Sequence, residues 1–254
     1  MNWKAPLIGM LIVSILIGCS DSTEVPVDQS SDQYGFSAAT ETTTKTNNDV
    51  LANLPFHNRQ DFDDAIKGFI ATDEALSITN ARGEVIWRPD DYGFITGDAP
   101  ASANPSLWRQ AKLNNINGLF KVSERIYQIR GYDLANMSII EGDSGWIVID
   151  PLTASETAAK GMALVRKHLG DKPITGIIFT HSHVDHFGGA LGIISSAEIA
   201  ERNIPVIAPI GFIEEATSEN VIAGNAMMRR STFSYGKNLP RTQRGHIGSG
   251  LGKA

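Results

Sequence analysis

The chain has 254 residues, 42% of them hydrophobic and 20% charged, and its 22 basic and 28 acidic residues give a formal net charge of −6. That is enough for one sizeable core or two small ones, and it excludes both wholesale disorder and a strongly basic nucleic-acid binder. A single cysteine excludes an internal disulfide framework, a cysteine-rich zinc finger and a thiol redox pair.

Residues 1–18 read as an export signal. Lys4 supplies a positive start, and residues 7–18 form a largely apolar run, too short for the roughly 20 residues that a membrane-spanning helix needs. The run ends Leu16-Ile17-Gly18-Cys19, which resembles a bacterial lipobox. Cys19 is therefore the expected lipidation site, and the expected partner is a membrane reached through acyl chains rather than a helix. An exported bacterial lipoprotein facing the periplasm or held at the outer membrane follows, with Ser20 favouring the latter; an ordinary signal peptide with a chance cysteine is the alternative. Residues 19–50 are rich in Ser, Thr, Asp and Asn, and from Ser20 onward they carry six acids against Lys45 alone. They read as a disordered, solvated tether that holds most of the chain's net acidity.

Residues 51–104 read as an N-terminal extension packed on a main domain that occupies 105–254. Within the extension, Phe62, Ala65, Ile66, Phe69 and Ile70 recur at helical spacing, which predicts a helix over 61–72. Two β-rich runs flank a turn at Asn80-Ala81-Arg82-Gly83, and residues 99–105 form a loop. In the main domain, apolar runs at 119–122, 126–129, 137–141 and 146–149 predict an antiparallel meander. A helix over 155–169 closed by Gly170 comes next, then a buried strand at 174–179 and a loop over 180–189. A further helix to about residue 201 and another buried strand at 205–209 complete the series. A meander followed by alternating helix and strand predicts a mixed sheet covered by helices, an α/β architecture.

The loop after the 174–179 strand reads Thr180-His181-Ser182-His183-Val184-Asp185-His186-Phe187-Gly188-Gly189, and it holds three of the chain's six histidines. His181 and His183, two apart in an extended segment, can project to one side and converge on one cation. Asp185 and His186 are adjacent, point differently and suit a neighbouring metal. Imidazole and carboxylate donors without thiolate suit Zn²⁺, with Mn²⁺ or Fe as alternatives. Gly188 and Gly189 permit close backbone approach, and the carboxyl end of an interior strand is where open α/β sheets build their sites. The competing reading, a histidine-rich surface loop, does not account for four ligand-type residues in this order.

His181 to His186 matches the H-x-H-x-D-H motif of the metallo-β-lactamase superfamily, and Asp150, at the end of Trp146-Ile147-Val148-Ile149, matches the aspartate that closes an earlier strand there. Longer stretches resemble the linear primary alkylsulfatases that act on dodecyl sulfate. They include Arg130-Gly131-Tyr132-Asp133-Leu134-Ala135-Asn136-Met137, residues 142–151 and 179–189, Ser218-Glu219-Asn220-Val221-Ile222-Ala223-Gly224-Asn225-Ala226-Met227, and residues 244–254. The resemblance implies an αββα sandwich of the α/β (α+β) class with two zinc ions per complete site. His181 and His183 would bind one zinc, and Asp185 and His186 the other. Asp185 would also orient a water activated between the metals, and Asp150 would support the loop from behind. It further implies alkyl sulfate esters as substrates, alcohol and inorganic sulfate as products, and a homodimer. In that family the remaining metal ligands, the dimerisation region and a lipid-carrier-like domain follow the segment matched here. Residues 105–254 are therefore expected to be the first half of the sandwich, and the chain is expected to be inactive alone.

His57, His168 and His246 read as non-ligands. Gly142-Asp143-Ser144-Gly145 is similar to a serine-protease nucleophile segment but sits between two strands and reads as a turn. Gly248-Ser249-Gly250-Leu251-Gly252-Lys253 lacks the glycine and the Ser/Thr that a phosphate loop requires. Residues 225–254 hold Arg229, Arg230, Lys237, Arg241, Arg244 and Lys253 without an acid. They read as a solvated basic loop, or else Arg229 and Arg230 help draw a sulfate ester towards the metals. Three functions follow in order: a zinc-dependent alkylsulfatase, another hydrolase of the superfamily acting on lactams, thioesters or phosphodiesters, and a non-catalytic lipoprotein binding module.

Overall fold

The computed structural model describes residues 31–249; the export signal, Cys19 and the end of the glycine-rich tail lie outside the described residues. The meander is present as β4 (Gly118–Ser123), β5 (Ile126–Arg130), β6 (Met137–Glu141) and β7 (Trp146–Ile149), each antiparallel to its neighbour. The turn before β7 closes with Gly142 N–H donating to the Gly145 carbonyl at 2.8 Å, as its sequence predicts. Alternation along the strands turns Tyr127, Ile129, Met137, Ile139, Trp146 and Val148 to one buried face. Helix α4 (Ser155–Leu169) lies on that face through Ala158, Met162 and Val165. It approaches closely: a Cβ at Gly161 would meet Ile129 and Met137 at 3.1 and 3.2 Å. Gly170, at φ +99°, ends the helix where glycine costs least.

After α4 the sheet changes sense. Strand β8 (Ile174–Ile178) runs parallel to β7, and β9 (Val206–Ile207) runs parallel to β8. With β1 (Phe69–Ala71) beside β4, the order is β1-β4-β5-β6-β7-β8-β9 in one seven-stranded mixed sheet. Two short helices, α5 (Ala190–Ile193) and α6 (Ser196–Glu201), stand where one was expected, because Ile194 is extended and Ser195 caps a new start by accepting from Glu198 N–H at 3.1 Å. Among the described residues there is one large sheet and one two-stranded hairpin, so they supply one sheet layer of the expected sandwich.

Four expectations need correction. The tether does not extend to residue 50: α1 (Glu41–Asn53) begins at Thr40, whose hydroxyl accepts from Thr43 N–H, and buried Asn47 donates to the Ala101 carbonyl at 2.8 Å. The helix predicted over 61–72 is α2 (Gln60–Ile66) alone, because Gly68, at φ +74°, releases Phe69–Ala71 to pair with β4 as β1. The strand at 205–209 is short and open, with Val206 and Ile207 exposed at 44% and 55%, because β9 pairs only with β8 among the described residues. The basic segment expected as a loop is helical over its first part, as described with the site below.

Residues on both sides of position 104 contribute to the same cores. The hairpin of β2 (Ile78–Thr79) and β3 (Val85–Trp87) turns at Asn80–Gly83 as predicted and buries Ile78 and Trp87 in the main core, where Trp87 Nε1 donates to the Gly131 carbonyl at 3.0 Å. Helix α3 (Pro105–Leu113), capped by Asn104, gives Trp108 and Ala111 to a smaller core shared with Tyr92, Ile95 and Ile247. Asn47→Ala should therefore cost about 0.5–1.5 kcal/mol, the net worth of one hydrogen bond, seen in urea unfolding together with faster proteolysis across residues 41–53. A true tether would show neither effect.

Candidate metal centre

The site is assembled where the parallel strands end. Pairing of Ile149 with Ile178 sets Asp150 beside the exit of β8, and Asp150 N–H donates to the Ile178 carbonyl at 3.0 Å. Asp150 is 7% exposed and holds a positive φ of 53°, which aspartate tolerates better than most residues. Its carboxylate receives Thr180 N–H at 2.8 Å on Oδ1, and the Thr180 hydroxyl at 2.7 Å and His186 Nδ1 at 2.8 Å on Oδ2.

These contacts fix which ring nitrogens are available. An ionised carboxylate only accepts, so His186 donates from Nδ1 and keeps a lone pair on Nε2. The Thr180 proton is committed to Asp150, so its oxygen accepts from His181 Nδ1 at 3.0 Å, which leaves the Nε2 lone pair of His181 free. His183 turns Nε2 to the Glu219 carboxylate at 3.0 Å. The three rings crowd together, with His181 centred 4.6 Å from His183 and 4.0 Å from His186. Asp185 Oδ2 stands 3.4 Å from His186 Nε2. Burial, then the neighbouring His186 and His183, push the His181 pKa below the ordinary imidazole range against the opposing pull of Asp150 and Asp185. A neutral imidazole is the form that binds a cation. Among the described residues no three donors already surround one point at ligating distance. The donor set nevertheless fits a borderline cation such as zinc, since lone pairs are exposed on His181 and His186 and a carboxylate lies beside them.

The loop beneath is shaped by backbone contacts. Val184–His186 forms a 3₁₀ turn, and Gly189 N–H donates to the Leu152 carbonyl at 2.8 Å. A Cβ at Gly188 would stand 2.3 Å from the Thr153 oxygen, and one at Gly189 2.2 Å from the Pro151 oxygen, so only glycine fits.

His181, His183, Asp185, His186 and Asp150 are thus brought together. His246 is buried elsewhere, its Nδ1 3.0 Å from the Tyr92 hydroxyl, and His57 and His168 make no contact with the loop among the described residues. Arg229 and Arg230 are exposed on α8 (Gly224–Tyr235), which replaces the expected loop over that stretch, and no salt bridge or hydrogen bond links them to residues 180–189 among the described residues. Arg241 pairs with Asp91, and Arg244 donates to the Phe36 carbonyl, so these two cations tie the tail to the front of the fold. Thr180 and Glu219 were not singled out from sequence. Glu219 arrives on a π-helical turn (Ser218–Ile222) that follows α7 (Phe212–Thr217), where Asn220 Nδ2 also donates to the Ser182 carbonyl at 3.4 Å. Phe212 anchors this arm by stacking on Phe179, 5.5 Å between ring centres, and packing edge-on against Phe187. The irregular π turn has no periodic signature that would have revealed it.

Residues 130–247 match the family model described as the metallo-β-lactamase superfamily. A linear primary-alkylsulfatase of Pseudomonas sp. is 48% identical over 216 residues, which are 84% of this chain and 32% of the relative. An (R)-specific secondary-alkylsulfatase of Pseudomonas sp. is 48% identical over 212 residues, 83% of this chain and 32% of the relative. The solved structure of the stereoselective inverting sec-alkylsulfatase Pisa1 from Pseudomonas sp. superposes with a TM-score of 0.82 at 46% identity, covering 88% of this chain and 35% of that one. The chain therefore spans about a third of the length of the curated relatives it matches.

Two outcomes follow from the geometry. Thr180→Val removes the hydroxyl between Asp150 and His181 and should weaken zinc binding about 10–100-fold in chelator competition, whereas Thr180→Ser should stay near wild type. In the metal-free chain, NMR titration should place the His181 midpoint below that of a histidine in a short peptide. Because the folded pKa is the lower one, the unfolded chain takes up the proton first. This contribution to stability is present above the ordinary imidazole range and is lost as pH falls towards the folded value.

Proposed function

We infer that this chain belongs to the metallo-β-lactamase superfamily: residues 130–247 match its family model, and alkylsulfatases are 45–48% identical over most of its length. On that premise we propose that it is part of a metal-dependent sulfuric-ester hydrolase that cleaves primary alkyl sulfates, such as dodecyl sulfate, to alcohol and inorganic sulfate. The observation that carries the reading is the packing of His181, His183 and His186 beside Asp185, with one nitrogen of each ring held by a protein partner.

His181, through Nε2, and His183 would hold one zinc, and Asp185 and His186, through Nε2, would hold the other. When bound, the cations supply Lewis-acid activation of water and neutralise charge on the ester. Asp185 accepts a hydrogen bond from the attacking water and orients it. Asp150 keeps His186 and, through Thr180, His181 in the tautomers that present Nε2. Arg229 and Arg230, exposed and without a salt bridge among the described residues, draw the anionic sulfate by long-range attraction. Export by residues 1–18, lipidation at Cys19 and assembly as a homodimer complete the proposal. The first two are supported by the Lys4 start, the apolar run and the lipobox-like ending, the last by the family resemblance.

The test is sulfate release from dodecyl sulfate by the protein that carries this chain, measured with and without chelator. Activity should vanish on metal removal, return with zinc, and fall by about 10³-fold or more in His183→Ala, as for loss of a group acting in the transition state. Turnover of a lactam, a thioester or a phosphodiester without sulfate release would replace the substrate assignment. Zinc binding without any turnover would favour a binding module.

A further inference from the structure

A second buried carboxylate, outside the metal loop, is not used by the chemistry above. Asp133 is 8% exposed and lies on the segment between β5 and β6. Its Oδ1 accepts Leu134 N–H at 2.6 Å and the Thr153 hydroxyl at 2.6 Å. Its Oδ2 accepts Thr153 N–H at 3.1 Å and the Thr157 hydroxyl at 2.5 Å, the latter also lying 2.9 Å from the Ala154 carbonyl. Three of these four contacts go to the start of α4 and the turn before it. That turn, residues 150–153, contains two non-glycine residues with positive φ, Asp150 at 53° and Leu152 at 63°. Left-handed backbone is strained at a non-glycine residue such as Leu152, so the turn persists only where its surroundings hold it. Asp133 grips its downstream end. At its upstream end Asp150 N–H is bonded to the Ile178 carbonyl, and on its outer side the Leu152 carbonyl receives Gly189 N–H.

We propose that Asp133 is a positioning residue for the metal centre: by holding Thr153 and Thr157 it keeps the 150–153 turn in its left-handed form, and so keeps the Asp150 carboxylate under His186 and Thr180. It touches none of the metal-loop side chains, and its effect passes through Asp150. This rests on reading His181 to His186 as the metal loop.

A double-mutant cycle on the 254-residue chain tests it, with Zn²⁺ affinity read by competition against a chromophoric chelator well below each variant's unfolding temperature. Asp133→Asn keeps the shape but turns a donor towards groups that need an acceptor, and should weaken Zn²⁺ binding by about 10-fold or more. In an Asp150→Ala background the same change should cost less than about 2-fold, because the path it acts through is already gone. Thr157→Val should follow Asp133→Asn, while Thr157→Ser, which retains the hydroxyl, should restore wild-type affinity. Equal losses from Asp133→Asn with and without Asp150 would mean a general structural role and would overturn the proposal, as would unchanged affinity in the single variant. If the wild-type chain bound no Zn²⁺, the metal-loop reading would fail by itself. The positioning claim would then be decided in the metal-free protein, where Asp133→Asn should shift the His186 Nδ1 ¹⁵N resonance; an unmoved resonance would overturn it.

Discussion

Everything at the centre depends on one carboxylate at the end of one strand. Asp150 closes β7, takes a backbone conformation that few residues accept, and accepts three hydrogen bonds from two residues of the neighbouring loop. A buried anion is costly unless its lone pairs are satisfied. Here the groups that satisfy it are the ones that must be oriented. The cost of burying Asp150 is offset by the order it imposes on His186 directly and on His181 through Thr180. An asparagine would put a donor against one of these donors, and an apolar residue would leave three donors unsatisfied.

The sheet explains why that carboxylate meets that loop. Strands β4 to β7 reverse at each turn, whereas β7, β8 and β9 run the same way. The change of sense at β7 brings the exits of adjacent parallel strands to one edge, and α4 closes the crossover while packing on the buried face. Fold and site are therefore coupled through register: the pairing of Ile149 with Ile178 decides that Asp150 faces Thr180. A slip by one residue would turn Asp150 away and expose Val148.

Much of this was legible in the sequence, and for physical reasons. The meander, α4 and β8 are long or strongly patterned, and the glycine stops at Gly83 and Gly170 act locally. The His181–His186 spacing carries its chemistry in six contiguous residues. What escaped was decided by distant partners. Helix α1 is polar along most of its length, and its place is fixed by Asn47 reaching Ala101; composition alone made it a tether. Phe69 and Ile70 fit a helical period but were claimed by β4. Strand β9 looked buried because Val206 and Ile207 are apolar, yet burial depends on what covers a face. Asp133, Thr180 and Glu219 are ordinary polar residues until the fold sets each against a group far along the chain.

The floor of the metal loop is made of carbonyl oxygens that leave no room for a Cβ at Gly188, Gly189 or Gly192. A mould of main chain has no side chains to exchange, so sequence drift has little purchase on it. The arm from Phe212 to Tyr235 is different: it meets the loop through Phe212 and two polar contacts, and it turns Ile213, Val221, Ile222 and Phe233 outward. Variation at those four outward positions leaves Glu219, and with it His183, in place. Such a division keeps the cradle rigid while the outer face of its roof is free to change.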